Sequence, residues 1–228
     1  MKKYVPLLTR SPLLEGISAA DIPLLLQCLL ARTAAYGREQ TIFALGACPH
    51  EIGLVLEGSV NIIKEDSWGN RSLLQKIGPG EVFAESFVCS GEPALLVSVV
   101  AADDCRVLFL DGTRLSQNCS LMCAFHTRLT QNVMRLLAAK NVALTMKIEH
   151  VSMRTTREKL LSYLSHQALR AGDSAFRLPL NRQELADYLC VDRSAMCAAL
   201  SRLKREGLID YGGRSIRLLQ ADAQQVAL

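Results

Sequence analysis

The chain has 228 residues, half of them hydrophobic and 21% charged, with a net charge of +4. That length allows one large domain or two small ones with real cores, and the composition excludes a disordered chain. No run approaches the roughly 20 apolar residues of a membrane span, and eight cysteines spread along the chain do not frame a small secreted scaffold, so they read as thiols of a reducing cytoplasm.

The opening "MKKYVPLLTRSPLLEG" has two lysines but neither a long apolar core nor a small-residue cleavage site, so no signal peptide is expected, and the location is read as cytoplasmic, off the membrane. Residues 8–30 read as helix through "ADIPLLLQCLL". From Arg32 to Asp111 the pattern changes to short β-prone runs ("TIFAL", "IGLVLEGSVNIIKED", "SLLQKIGPGEVFAE", "LLVSVVAADDCRVLFLD") separated by the breakers "WGN", "GPGE" and "SGEP". That spacing predicts a sandwich or β-roll. A long helix is expected over 119–153. In it Met134, Leu137, Asn141, Leu144, Ile148 and Val151 recur at alternating steps of three and four, the seam of a parallel coiled-coil dimer, with Asn141 as its polar register-setting residue. A second stripe, Phe125, Leu129, Val133 and Leu136, would pack on the β-roll. A long amphipathic helix inside a monomer is the competing reading. "MRTTREKL" starts a more basic unit, with a hinge expected over 151–157.

Between Arg154 and Arg217 twelve basic residues face seven acidic ones, an excess that suits a polyanionic partner. "NRQELADYL" begins with Asn181 as N-cap and has Glu184 three residues on, a capping-box spacing. Ala186 is small where two helices would cross, Cys190 and Val191 end the first helix, and Asp192 is expected to cap the second. On that second helix Met196, Leu200 and Leu203 share an inward face, and Ser194, Ala198, Ser201 and Arg205 the outward one, with Arg193, Arg202 and Lys204 at its edges. "GLIDYGGRSIRLL" supplies two strands about a Gly212-Gly213 turn. Strand "FRLPL", helix, helix and hairpin make a winged helix-turn-helix, so double-stranded DNA is the expected partner.

With these units in place the whole chain resembles the family of the cyclic-AMP receptor protein and the fumarate and nitrate reductase regulator, through "PGEVFAES", the long helix, "TTREKLLSYL" and "NRQELADYLCVDRSAMCAALSRLKREGLI". The resemblance implies an α+β chain: an N-terminal double-stranded β-helix, jelly-roll-like and of the cyclic-nucleotide-binding kind (1–118), a long dimerisation helix (119–153) and a C-terminal winged helix-turn-helix (154–228). It further implies homodimers, a small-molecule or redox effector read by the β-roll, palindromic promoter sites with half-sites about one helical turn apart, and RNA polymerase as a partner. Members usually carry Arg or Glu at the start of the recognition helix and a guanine-reading Arg four or five positions later. Arg193 matches the first, but the later Arg falls at Ala198 and the Ser often preceding it at Cys197. Losing the guanidinium fork on guanine removes readout of about 1–3 kcal/mol per base pair. Ala198 can still touch a thymine methyl, and Ser194 and Ser201 can hydrogen-bond several bases, so a more A·T-rich half-site is expected. Arg182, Gln183, Arg202 and Lys204 would hold phosphates.

In cyclic-nucleotide-binding members a Glu holds the ribose and an Arg the cyclic phosphate. Glu85, with Ser86 beside it, falls on the Glu position, while the Arg is replaced by Leu95, followed by Leu96. The polar Thr-Ser pair that such members use on the long helix falls near Val142 and Ala143. A buried phosphate without a cationic partner is strongly penalised, so cyclic AMP is not the expected effector; an uncharged, apolar or aromatic ligand is, or none. The other route is the cysteines. Cys89, Cys105, Cys119 and Cys123 are candidate ligands of an iron–sulfur cluster or members of a thiol switch, 119 and 123 lying one helical turn apart. Haem on Cys89, His50 or His126 is the further option. Against both stands packing, to which Cys28, Cys190 and Cys197 are assigned. No phosphate-cradling glycine loop, G-x-S-x-G or H-E-x-x-H marks an enzyme. The alternative to a DNA-binding regulator is a β-roll ligand- or metal-binding module whose degenerate helix-turn-helix serves protein interaction.

Overall fold

The computed structural model describes residues 1–65, 71–92, 94–115 and 124–219. It divides into two compact units, Met1–Ala139 and Lys140–Leu228, the boundary falling within one long helix. The expected boundary at 118 lies outside the described residues.

The continuous helix expected over 8–30 does not form. A 3-10 turn (Lys2–Tyr4) and the single turn α1 (Val5–Leu8) are followed by a second 3-10 turn (Pro12–Leu14) and by α2 (Ile22–Cys28). Pro12 and Pro23 each open a new turn, as the missing amide and fixed φ of proline dictate. Gly16 leaves helical geometry with φ +74°. The apolar residues still go inward, with Leu8, Leu13, Leu14, Ile22, Leu25 and Leu29 all buried.

Among the described residues eight strands follow: β1 (Arg32–Tyr36), β2 (Thr41–Phe43), β3 (Glu51–Glu57), β4 (Val60–Glu65), β5 (Arg71–Ile77), β6 (Val82–Phe83), β7 (Ser98–Ala101) and β8 (Cys105–Asp111). They form two antiparallel sheets of order β1-β8-β3-β6 and β2-β7-β4-β5. The pairings are nested, β1 with β8, β2 with β7, β3 with β6 and β4 with β5, which is the double-stranded β-helix expected. The run "VLFL" in β8 shows why this sheet is apolar on both faces. Side chains alternate along a strand, so Val107 and Phe109 point into the roll with Val55 and Phe83, while Leu108 and Leu110 join Ile52, Leu54 and Leu56 under the helices.

Between β6 and β7 lies α3 (Glu85–Ser90), entered through Ala84 in the left-handed region at φ 65°. The long helix α4 (Ala124–Ser152) buries Leu129 and Val133, with Phe125 and Leu136 packed beside them, as its second stripe predicts, but Leu137, expected in the seam, packs against the same cluster. Asn132, which the apolar stripes do not reveal, is 1% exposed and donates to the Leu13 and Glu15 carbonyls at 3.0 and 2.8 Å. It ties the helix to the N-terminal turns.

The second unit continues through α5 (Thr156–Ala171), β9 (Ala175–Arg177), α6 (Arg182–Leu189), α7 (Arg193–Arg205), β10 (Ile209–Gly212) and β11 (Ser215–Leu218), with sheet order β10-β11-β9. The break between α4 and α5 falls at 153–155, inside the expected hinge. A capping box there joins Thr155 and Glu158, each side chain serving the other's backbone amide, so α5 starts as an independent helix. Leu160, Leu164, Leu185, Leu189, Met196, Leu200, Leu203 and Ile216 make its core.

Candidate nucleic-acid interface

Helix α6 begins on a complete capping box. Asn181 Oδ1 accepts from the Glu184 amide at 3.0 Å, and a Glu184 carboxylate oxygen accepts from the Asn181 amide at 2.6 Å. It ends where Cys190 turns left-handed at φ 53°, and three residues later α7 begins. Ala186, fully buried, permits the close crossing of the two helices. Asp192 stands at the N-cap of α7, but its side chain makes no capping bond. Cys190, assigned to packing from the sequence, is instead exposed, because the left-handed cap lifts it out of the core; Cys197 does pack against it.

Met196, Leu200 and Leu203 of α7 point inward as predicted, at 0 to 1% exposure. Arg193, Ser194, Ala195, Ala198, Ser201, Arg202, Lys204 and Arg205 are exposed. The structure thus places the predicted reading set on one open helix, and adds Ala195, whose lack of any polar atom had hidden it. The Ser201 hydroxyl donates to the Cys197 carbonyl at 3.0 Å, and its oxygen lies 3.4 Å from the Tyr211 hydroxyl.

The cations differ from the sequence expectation. Arg202 Nε bonds Glu206 at 2.9 Å, and Arg157 of α5 bonds the other Glu206 oxygen at 2.8 Å. These two guanidinium contacts hold the Glu206 carboxyl below its ordinary range. Lys204 pairs with Asp210 at 2.7 Å, which raises its ammonium pKa and lowers the Asp210 carboxyl. Gln183 donates to Asp187 at 2.9 Å, and Arg182 donates to the Gly213 carbonyl at 2.8 Å. The four residues expected on phosphates are therefore each engaged within the unit. Among the described residues Arg193 and Arg205 have no ion-pair partner. The wing closes one residue later than expected: Gly212 pairs with Ser215, and the two turn residues are Gly213, at φ +59°, and Arg214.

In the first unit the expected effector residues scatter in exposure. Glu85 is 3% exposed and accepts from Ser86 Oγ at 3.0 Å. Leu95 is buried, its backbone paired with Gly46 and Ala47, whereas Leu96 is 70% exposed. Val142 belongs to the second unit and is 58% exposed. The roll interior is filled by aromatic rings, with Phe43, Phe83 and Phe109 edge to face at 5.7 to 6.5 Å. Phe83 sits so close over β3 that a Cβ at Gly53 would lie 2.1 Å from its ring.

Of the cysteine ligand candidates, 119 and 123 lie outside the described residues. Cys105 is buried in β8, where burial and then Asp103 raise its thiol pKa; Cys89 on α3 is exposed at the residue level, yet burial of the thiol and then Glu85 raise its pKa too. Both shifts disfavour the free thiolate in the metal-free protein. Among the described residues no three His, Cys, Asp or Glu side chains gather as a metal site. With 119 and 123 outside the described residues, the described pair Cys89 and Cys105 does not by itself make a cluster site.

Residues 158–223 match the Crp-like helix-turn-helix domain family, and residues 34–120 the cyclic nucleotide-binding domain family. The chain is 26% identical over 215 residues to the cyclic AMP receptor protein of Thermus thermophilus, covering 92% of this chain and 94% of that protein. FixK2 from Bradyrhizobium japonicum superposes with a TM-score of 0.54 at 21% identity, covering 86% of this chain and 95% of that one. The c-di-GMP responsive global regulator CLP of Xanthomonas campestris superposes with a TM-score of 0.58 at 19% identity, covering 90% and 100%. At these identities the two structures show a shared fold.

Proposed function

The chain belongs to the family of the cyclic-AMP receptor protein and the fumarate and nitrate reductase regulator, and from that premise we propose a non-enzymatic, homodimeric regulator that binds palindromic promoter DNA in response to a small-molecule or redox signal other than cyclic AMP. Its coarse function is that of a transcription regulator with a cyclic nucleotide-binding-type domain and a Crp-like helix-turn-helix.

The observation that carries the DNA reading is the open face of α7, where Arg193, Ser194, Ala198, Ser201 and Arg205 stand exposed on a helix whose opposite face is fully cored. Ala198 in place of a guanine-reading Arg favours an A·T-rich half-site. Dimerisation is supported by Met134, Leu144 and Ile148 of α4, which are 61 to 67% exposed in the single chain. An apolar stripe of that length is costly in water and suits a second copy of the same helix. The case against cyclic AMP is Leu95: buried, apolar, and placed where a phosphate would need a cation. RNA polymerase remains the proposed partner at the promoter. Among the described residues no helix is long and apolar enough to cross a membrane.

Selection of bound duplexes from a random-sequence pool, followed by salt titration of the best one, tests this reading. We expect a two-fold symmetric sequence with A·T-rich half-sites about 10 base pairs apart, and a steep fall of affinity with salt. Recovery of a G-rich half-site would overturn the specificity argument. Absence of salt-dependent binding would overturn DNA binding itself and favour a protein-interaction role, which the internal pairing of Arg182, Arg202 and Lys204 supports.

A further inference from the structure

Tyr211 of β10 meets two cations from different helices. Arg182, the first residue of α6, places its guanidinium carbon 5.2 Å from the ring centroid, and Lys204, on the last turn of α7, its ammonium at 5.1 Å. Each cation also grips the wing backbone, Arg182 at the Gly213 carbonyl (2.8 Å) and Lys204 at the Tyr211 carbonyl (3.3 Å). The Tyr211 hydroxyl stands 3.4 Å from Ser201 Oγ, on the exposed face of α7. One half-buried ring therefore contacts both helices of the reading unit from the wing. The wing otherwise meets α6 across an open cleft of about 440 Å³ lined by Leu180, Asn181, Arg182, Tyr211, Gly213 and Arg214.

We propose that Tyr211, clamped by Arg182 and Lys204, is the positioning residue that sets the wing against the recognition helix, and that these two cations act through the wing instead of contacting DNA phosphates. This deepens the DNA-binding reading and rests on it. Each cation is attracted to the ring through its quadrupole, and the two backbone bonds fix its height along the helices. The unit then presents Arg214 of the wing turn and the exposed face of α7 in one fixed relation. Flanking base pairs under the wing would be selected together with the half-site.

The test uses full-length Tyr211→Leu, Tyr211→Phe and Arg182→Gln variants and the double variant Tyr211→Leu/Arg182→Gln. Amide hydrogen exchange without DNA reads the clamp by itself. We expect exchange across 209–218 to rise about tenfold in Tyr211→Leu and in Arg182→Gln, on the order of one lost cation–π contact with its backbone bond. Tyr211→Phe, which keeps the ring, should restore protection, while α7 amides stay protected in all three. Unchanged wing exchange in Tyr211→Leu would overturn the proposal. So would rescue failure in the Phe variant with α7 still protected. On the duplex selected by the wild type, Arg182→Gln should lose hydroxyl-radical protection in the flank and keep its salt slope, and the double variant should bind no worse than the weaker single one. A slope reduced by about 1 in Arg182→Gln, additive with Tyr211→Leu, would instead make Arg182 a phosphate contact. If the wild type binds no duplex while the exchange results hold, the DNA reading fails and the clamp stands as a feature of the wing.

Discussion

Around α7 the polar side chains are tied to one another: Arg157 and Arg202 share Glu206, Lys204 holds Asp210, and Arg182 reaches the wing. In the β-roll Leu95, which the family resemblance sets where a nucleotide phosphate would bind, is buried, and Phe43, Phe83 and Phe109 pack in the interior. The two regions are built on different chemistry. In the helix-turn-helix unit the polar side chains around α7 are bound to one another, whereas the β-roll interior is an apolar and aromatic cluster. A fold tolerates an interior of the second kind readily, because an apolar cluster of the same volume satisfies the roll as well as a bound ligand does.

The largest effect should come from emptying that cluster. Phe83→Ala removes a fully buried ring and is expected to destabilise the first unit by about 3–5 kcal/mol, read as a shifted calorimetric transition. The transition of the second unit should not move. If the roll interior is instead a ligand cavity that tolerates loss of the ring, the first transition will shift little and the comparison between the regions collapses.

A comparable test concerns the exposed stripe of α4. Leu144→Glu with Ile148→Glu places two charges on the proposed seam and should convert a dimer to monomers in sedimentation equilibrium, with loss of tight binding to a two-fold symmetric duplex. Asn141→Leu acts in the opposite direction, since a polar seam residue sets register at some expense of stability. It should slow subunit exchange. A chain that is monomeric before substitution would refute both expectations.

The sequence made some of this legible for identifiable reasons. The β-prone run that becomes β8, the spacing Met196–Leu200–Leu203 and the box Asn181–Glu184 are local signals with few alternatives, and the structure follows them. The helix expected over 8–30 misled because apolar content persisted through Pro12 and Gly16, whose backbone limits override hydrophobicity. Side-chain partners were the least legible. That Arg182 would meet Tyr211, 29 positions later in the chain, follows from the hairpin returning to the start of α6, a tertiary fact with no periodic signature. Asn132 and the exposure of Leu96 were hidden for the same reason, since burial of a single residue depends on what folds over it.

The smallest expected effect lies at the buried end of α4. His150 is 1% exposed, its Nδ1 is 2.9 Å from Ser162 Oγ, and its ring packs against Tyr163, His166 and Tyr188 at 5.7, 5.5 and 6.1 Å. Lys147 stands 5.4 Å over the Tyr188 ring. Burial, and after it the neighbouring His166, push the His150 pKa below the ordinary 6.5, with Glu149 opposing weakly. The folded unit therefore favours the neutral ring, and as pH falls below 6.5 the unfolded chain takes up the proton first. Stability from burying this ring is intact above that value and is lost as the pH falls toward the depressed one. The second unit should accordingly melt lower at pH 5.5 than at pH 7.5. His150→Asn, whose amide can reach Ser162 without titrating, should flatten that dependence. An equally steep acid drop in the variant would mean that the pH response of the reading unit comes from its surface carboxylates, Glu206 and Asp210, whose depressed pKa values give the same sign at a lower pH.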